Sequence, residues 1–246
     1  MTAAYDAAIA RIAGRKPVQS VADVLSIMQE LDRVLRDGDG VKWFNLLYLR
    51  VTEGIRDESA AAVWRDRQWL ETLDVVFAEL YFDALVHWAE DHKSAARCWR
   101  ALFEARTRTD VARIQFALAG MNAHINHDLV LALLRTSEER RAMPERGSAQ
   151  HSDFERVNGL LERVEEKVKA FLLSTQVQVL DRHFGRVDDV IALWKVRIAR
   201  ETAWANGEVS WEIRRVSIAT RQFIENLDRL VSLSSKGLLV PTELRL

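Results

Sequence analysis

Apolar positions recur every three or four residues along most of the chain, the spacing of helices that each bury one face. In VLSIMQELDRVL this rhythm begins after Ser20 and Asp23, a helix-capping pattern, and stops at Asp37-Gly38-Asp39-Gly40, predicting a helix over Val21 to Arg36. VKWFNLLYLRVTEGI predicts a second helix that is apolar on nearly every side, with Asn45, Arg50 and Glu53 as its polar exceptions. Further helices are expected over Trp69 to His92, Ser94 to Glu104, Ile114 to Thr136, Phe154 to Leu173, Val177 to Phe184, Val187 to Trp204 and Trp211 to Leu233. Thr109-Asp110 and His151-Ser152-Asp153 are read as caps, Ser137 to Ser152 as a long loop, and Gly185 and Gly207 as breaks. No strand-like alternation or internal repeat interrupts the pattern. It predicts an all-α, single-domain bundle of about nine helices over residues 1–246, with 1–19 a loosely packed N-terminal arm and 238–246 a tail.

One helix stands apart. In IQFALAGMNAHINHDLVLALLR, Ile114 to Arg135, the only formal charge between Ile114 and Leu134 is Asp128, so no side is suited to water. That predicts burial at the centre of the bundle, together with two histidines and two asparagines. A buried polar group without a partner costs roughly 2–7 kcal/mol, so His124, His127, Asp128, Asn122 and Asn126 must find partners or a ligand. At about 100° per residue, His124, His127 and Asp128 share an arc with Ala117, Gly120 and Leu131.

Composition narrows the functional classes. Lysine and arginine number 35 against 36 acidic residues, with the signs interspersed, which gives no electrostatic case for nucleic acid or an anionic membrane. Cys98 is the only cysteine, which excludes an intramolecular disulfide and a cysteine-rich zinc site. The N-terminus lacks the basic start of an export signal, and the polar groups of the Ile114 helix make lipid exposure costly. A cytoplasmic protein with no integral membrane insertion and a small-molecule partner is expected; a homo-oligomer is compatible with this.

His124 and Asp128, four apart, either point at one ion or let the carboxylate orient the imidazole. Glu79, Asp83, His87 and Glu90 form a second acidic and histidine strip; helical bundles that hold metals project such groups inward, whereas Glu90, Asp91 and His92 read as a solvated strip at the end of the helix. Glu53 is expected to point inward, with Arg50 to neutralise it. His151, on the long loop, and Asn122 are candidate substrate contacts. Cys98 reads as a core residue and Arg200-Glu201 as a surface pair. The leading reading is a metal-dependent enzyme acting on a small organic or lipid-like substrate. Its expected ligands for iron, zinc or manganese are His124, Asp128, His127, Asp83 and Glu53, and its catalytic residues are His124, Asp128 and Glu53. A metal-free acid/base enzyme or binding protein, and a structural protein with a satisfied polar core, are the alternatives.

The segments WFNLLYLRVTEGI at Trp43 to Ile55, LDVVFAELYFDAL at Leu73 to Leu85, FALAGMNAHINHDL at Phe116 to Leu129 and HSDFERVN at His151 to Asn158 resemble an uncharacterised bacterial family. It is common in actinobacteria and is labelled only a domain of unknown function. The resemblance implies a single helical domain and carries over no activity or catalytic residue. His124 to Asp128 is also similar to the His-x-x-x-Asp segment of helical zinc-dependent phospholipases and nucleases, whose further histidines and acidic ligands have no counterpart here.

Overall fold

The apolar stripes become helices that pack around the Ile114 segment. The computed structural model describes residues 2–59, 62–161 and 195–241, and among these residues it contains helices and no strand. The helices are α1 (Ala3–Ala13), α2 (Val21–Val34), α3 (Gly40–Ser59), α4 (Arg67–Glu90), α5 (Arg97–Ala105), α6 (Arg113–Ala123) and α7 (Leu129–Arg140). They continue with α8 over 149–161, α9 (Val196–Ile213) and α10 (Ser217–Leu238). A single π-helical turn, His124–Asp128, joins α6 to α7, so the central rod is continuous but locally widened. Every described residue of α6 except Asn122 and Arg113 is buried, as its lack of charge requires. Helix α3 packs along α6, α4 and α9 along α7, and α10 along α5 and α6.

Two reciprocal contacts bring α3 and α6 close. A Cβ on Gly40 would lie 2.5 Å from the Phe116 ring, and one on Gly120 would lie 2.4 Å from the Phe44 ring. Each glycine thus receives the aromatic ring of the opposite helix, four residues from its own helix's ring. Phe44, fully buried, is thereby pressed against the central helix one turn before His124.

Local differences from the sequence reading have identifiable causes. Within the expected arm, α1 is packed: it buries Ile9, Ile12 and Ala13, and Arg106 donates to Asp6 at 3.0 Å and to Asp39 at 2.8 Å, with Tyr5 donating to Asp39 at 3.0 Å. Asp110 does not cap the central helix but pairs with Arg108; the Gln115 side chain accepts from the Ala112 N–H instead. The long loop is shorter than expected because α8 starts before His151, with the Ser148 hydroxyl accepting from the His151 N–H. Asp153 lies inside α8, and its carboxylate accepts N–H groups of Arg65 and Asp66 across the fold. Gly207 does not break α9; it lets α9 approach α7, since a Cβ there would meet Leu133 at 3.1 Å. The expected helix over Val177 to Phe184, Gly185, the latter part of the Phe154 helix and the start of the Val187 helix lie outside the described residues.

Candidate functional site

The π-helical turn organises the polar cluster. Its wider turn brings residues four apart nearer to one line than a 3.6-residue turn does, and such turns recur at functional sites. Asp128, almost fully buried, receives three N–H groups. His124 Nδ1 lies 3.0 Å from Oδ2, His127 Nδ1 lies 2.8 Å from Oδ1, and Trp99 Nε1 donates to Oδ2 at 2.9 Å. Burial raises the Asp128 carboxyl, but the hydrogen bonds from the two histidines outweigh it and hold the group below its ordinary range. An ionised carboxylate can only accept, so His124 and His127 both carry their protons on Nδ1.

The two imidazoles then part company. Burial lowers His124, and the hydrogen bond and charge of Asp128 only partly restore it, so the ring is neutral at neutral pH. For His127 burial again lowers, but Asp128 prevails and the net direction is upward. With Nδ1–H committed to Asp128, the Nε2 of His124 keeps a bare lone pair, and it has no hydrogen-bond partner although it is buried. Aromatic rings fix the imidazole: Phe77 stacks on it at 3.6 Å and 8°, while Tyr48 and Phe44 approach edgewise at 4.6 and 5.7 Å.

His124 forms part of the wall of a cavity of about 370 Å³. Valines, isoleucines and leucines of α2, α3, α4 and α8 contribute to its lining, with Tyr48, Asp74, Phe77 and Arg200 as further walls. Burial pushes the Asp74 carboxyl up to about 7, with Arg200 pulling it down by its charge. Arg200 is itself lowered to about 10 by burial, which Asp74 and Glu155 oppose. Arg56, Arg67 and Glu71 also line the cavity. They are taken up in surface pairs, Arg56 with Asp57 and Arg67 with Glu71.

Of the residues expected at a site, His124, His127 and Asp128 are brought together, and the others lie elsewhere. Glu53 pairs with Arg50 at 3.0 Å and accepts weakly from Gln29, and does not line the cavity. Asp83 sits 3.5 Å from Lys16, which also holds Glu79, so that strip of α4 faces α1 and solvent; His87 is exposed. Asn122 donates to the Val231 carbonyl and the Ser235 hydroxyl, tying α6 to α10. Asn126 donates to the Asn122 side-chain oxygen at 3.0 Å. His151 is on α8, where it accepts from Gly147 N–H and packs edgewise on Trp204.

Sequence reasoning missed Asp74, Tyr48 and Arg200. The reading of Arg200 with Glu201 as a surface pair is corrected: Glu201 pairs with Arg197, and Arg200 turns inward to Asn158. A second grouping was also missed. The ligand atoms of Cys98, His127 and Asp228 lie within 4.8 Å of one another, and this is the one such trio among the described residues. Asp228 also accepts the N–H groups of Arg97 and Cys98 at 3.1 and 2.9 Å, at the start of α5.

Among the described residues no helix is long and apolar enough to cross a membrane. No curated protein and no solved structure matches the chain. Residues 21–241 match a family of unknown function, DUF5995, and the chain belongs to that family.

Proposed function

We propose that the protein is an acid/base enzyme that takes a small, largely apolar molecule into the cavity beside His124. The observation that carries this reading is the bare, unpartnered Nε2 of an imidazole in the cavity wall, whose other nitrogen is held by Asp128. Leaving such an atom unsatisfied costs about 1–3 kcal/mol, which a bound donor would recover. The lone pair can take a proton from the substrate, and the imidazolium so formed would be stabilised by the Asp128 carboxylate. Asp74, poised at about 7 on the same cavity, can return a proton. Two titratable groups driven apart by their surroundings are the usual arrangement of a base and its acid.

The test uses fragments detected by ligand-observed NMR, followed by deuterium incorporation into any fragment that binds. Binding to the wild-type protein and its loss on filling the cavity with Val51→Trp are expected, as is exchange that His124→Gln abolishes with binding retained. Equal binding to the filled variant sinks the cavity reading, and unchanged exchange in His124→Gln sinks the base.

As a second reading we propose that the trio of Cys98, His127 and Asp228 could hold a metal ion. Asp128 engages His127 through Nδ1, the outer-shell carboxylate arrangement that metal-binding histidines commonly use. Sulfur, nitrogen and oxygen donors suit zinc or iron, and burial, which pushes the Cys98 thiol up, would be overcome by coordination. An ion there would be joined to His124 through Asp128. Metal analysis of protein purified without a metal-binding tag tests it: a stoichiometric ion lost in His127→Ala is expected. Neither bound metal nor any thermal shift with added zinc, iron or manganese would remove it.

A further inference from the structure

Among the described residues two arginines are nearly closed from solvent, and they are treated differently. Arg106, 4% exposed, is neutralised by Asp39 and Asp6, each within hydrogen-bond distance. Arg200, 7% exposed, has no carboxylate within ion-pair distance among the described residues. Its Nε donates to the Asn158 side-chain oxygen at 2.5 Å and one Nη to the Phe154 carbonyl at 3.5 Å, and its guanidinium lies 4.0 Å over the Phe154 ring. These are neutral acceptors and a π face. A guanidinium has five N–H donors in a planar fork, so most of its capacity is unspent, on a residue that lines the cavity.

A buried cation without a counterion is costly, and proteins pair such groups with few exceptions. Here no carboxylate among the described residues forms an ion pair with it, and the side chain lines the cavity. The neighbouring acidic groups act on it through their charge without forming an ion pair. Glu155 is engaged by Asn158 and by Arg197, and Asp74 lies on the same cavity wall without forming an ion pair with Arg200. Apolar side chains of the same cavity include Val51, Ile55, Leu70, Val157 and Val196.

We infer that Arg200 is the anchor for the carboxylate of an apolar carboxylic acid, whose hydrocarbon body fills the cavity toward His124. The inference rests on the reading that this cavity takes a small apolar molecule, and it names the class. A carboxylate accepts two parallel N–H bonds from a guanidinium fork, which gives both strength and orientation. A phosphate dianion fits less well, because Asp74 and Glu71 carboxyls also line the cavity and its other arginines, Arg56 and Arg67, are paired with Asp57 and Glu71. The volume of about 370 Å³ lies at the lower end of the range for small-molecule pockets. An acid held by Arg200 would present its hydrocarbon body, and any reactive C–H or O–H bond on it, to the His124 side of the same cavity.

Calorimetric titration with octanoate, 1-octanol and octyl phosphate tests the inference. The wild-type protein should bind octanoate about tenfold or more tightly than octanol, and octyl phosphate more weakly than octanoate. Arg200→Gln should erase the preference for octanoate while keeping octanol affinity. Should Arg200→Gln fail to fold, Asp74→Asn serves instead: removing the nearby negative charge should tighten octanoate several-fold and leave octanol unchanged, and no tightening counts against the anchor. Equal binding of octanoate and octanol to the wild-type protein overturns the carboxylate anchor and leaves the apolar cavity standing. Tighter binding of octyl phosphate replaces the carboxylate class by a phosphate one and overturns the inference as stated. Binding of none of the three overturns the cavity reading itself, and the inference with it.

Discussion

Replacing Asp128 with asparagine changes few atoms and should be among the most damaging substitutions in the protein. The carboxylate receives N–H groups from Trp99, His124 and His127 at 2.9, 3.0 and 2.8 Å, and is itself buried. Asparagine keeps one accepting oxygen and replaces the other by a donor. If that oxygen stays on the side of Trp99 and His124, the amide NH2 faces the Nδ1–H of His127, and two donors meet. A proton must move to His127 Nε2, or the bond is lost. With the amide turned over, His124 takes the proton on Nε2 instead and loses its bare lone pair. Hydrogen bonds to a charged group contribute about 1.5–3 kcal/mol each, and breaking a buried charged pair costs about 3–5 kcal/mol. The expected loss is therefore about 3–5 kcal/mol in chemical denaturation at neutral pH, with an unchanged denaturant slope. A loss below about 1 kcal/mol would refute the assignment of Asp128 as an ionised hub and imply a protonated or solvated carboxyl.

Other outcomes follow from the same geometry. Gly120→Ala places a methyl 2.4 Å from the Phe44 ring, which is fully buried and cannot yield, so the gain of about 1 kcal/mol in helix propensity should be overridden and the melting temperature should fall. Asp74 has its folded pKa raised to about 7 from an ordinary 3.8, so its contribution to stability is full below the lower value and is lost as pH rises through the upper one. The groups acting on it are Arg200 and Glu71, and Asp74→Asn should gain on the wild type by on the order of 2–4 kcal/mol between about pH 5 and pH 8 in parallel denaturation curves; a constant difference would contradict the raised value. Stoichiometric zinc should raise the melting temperature of the wild-type protein and not of Cys98→Ala if the Cys98, His127 and Asp228 trio binds it, as read by calorimetry.

Much of the architecture is legible along the chain because burial writes itself as missing charge. The single charge between Ile114 and Leu134 was enough to place that helix inside, and the i, i+4 spacing put His124 and Asp128 within reach of each other without deciding between a direct bond and a shared ion. What the spacing could not show is that the helix widens into a π turn there, so that His127 joins the same carboxylate. Arg200 was lost to a local reading: in a charge-rich helix, Arg-Glu neighbours look like a solvated pair. The face that turns inward depends on α4 and α8, which lie far away in sequence. Asp153 failed for the same reason, since next to Ser152 it resembles a helix cap, yet its partners are backbone groups before α4. Glu53 was expected inside because Leu46 and Leu49 precede it, but its nearest cation, Arg50, stands on the outer edge of α3 and holds it there.

The most direct measurement is the long-range proton–nitrogen correlation spectrum of the His124 ring at neutral pH, recorded with and without octanoate. A protonated Nδ1 and a bare Nε2, the latter shifting when octanoate enters the cavity, are expected. A His124 protonated on Nε2, or doubly protonated, or unmoved by saturating octanoate that calorimetry shows to bind, would contradict an acid/base site built on that lone pair.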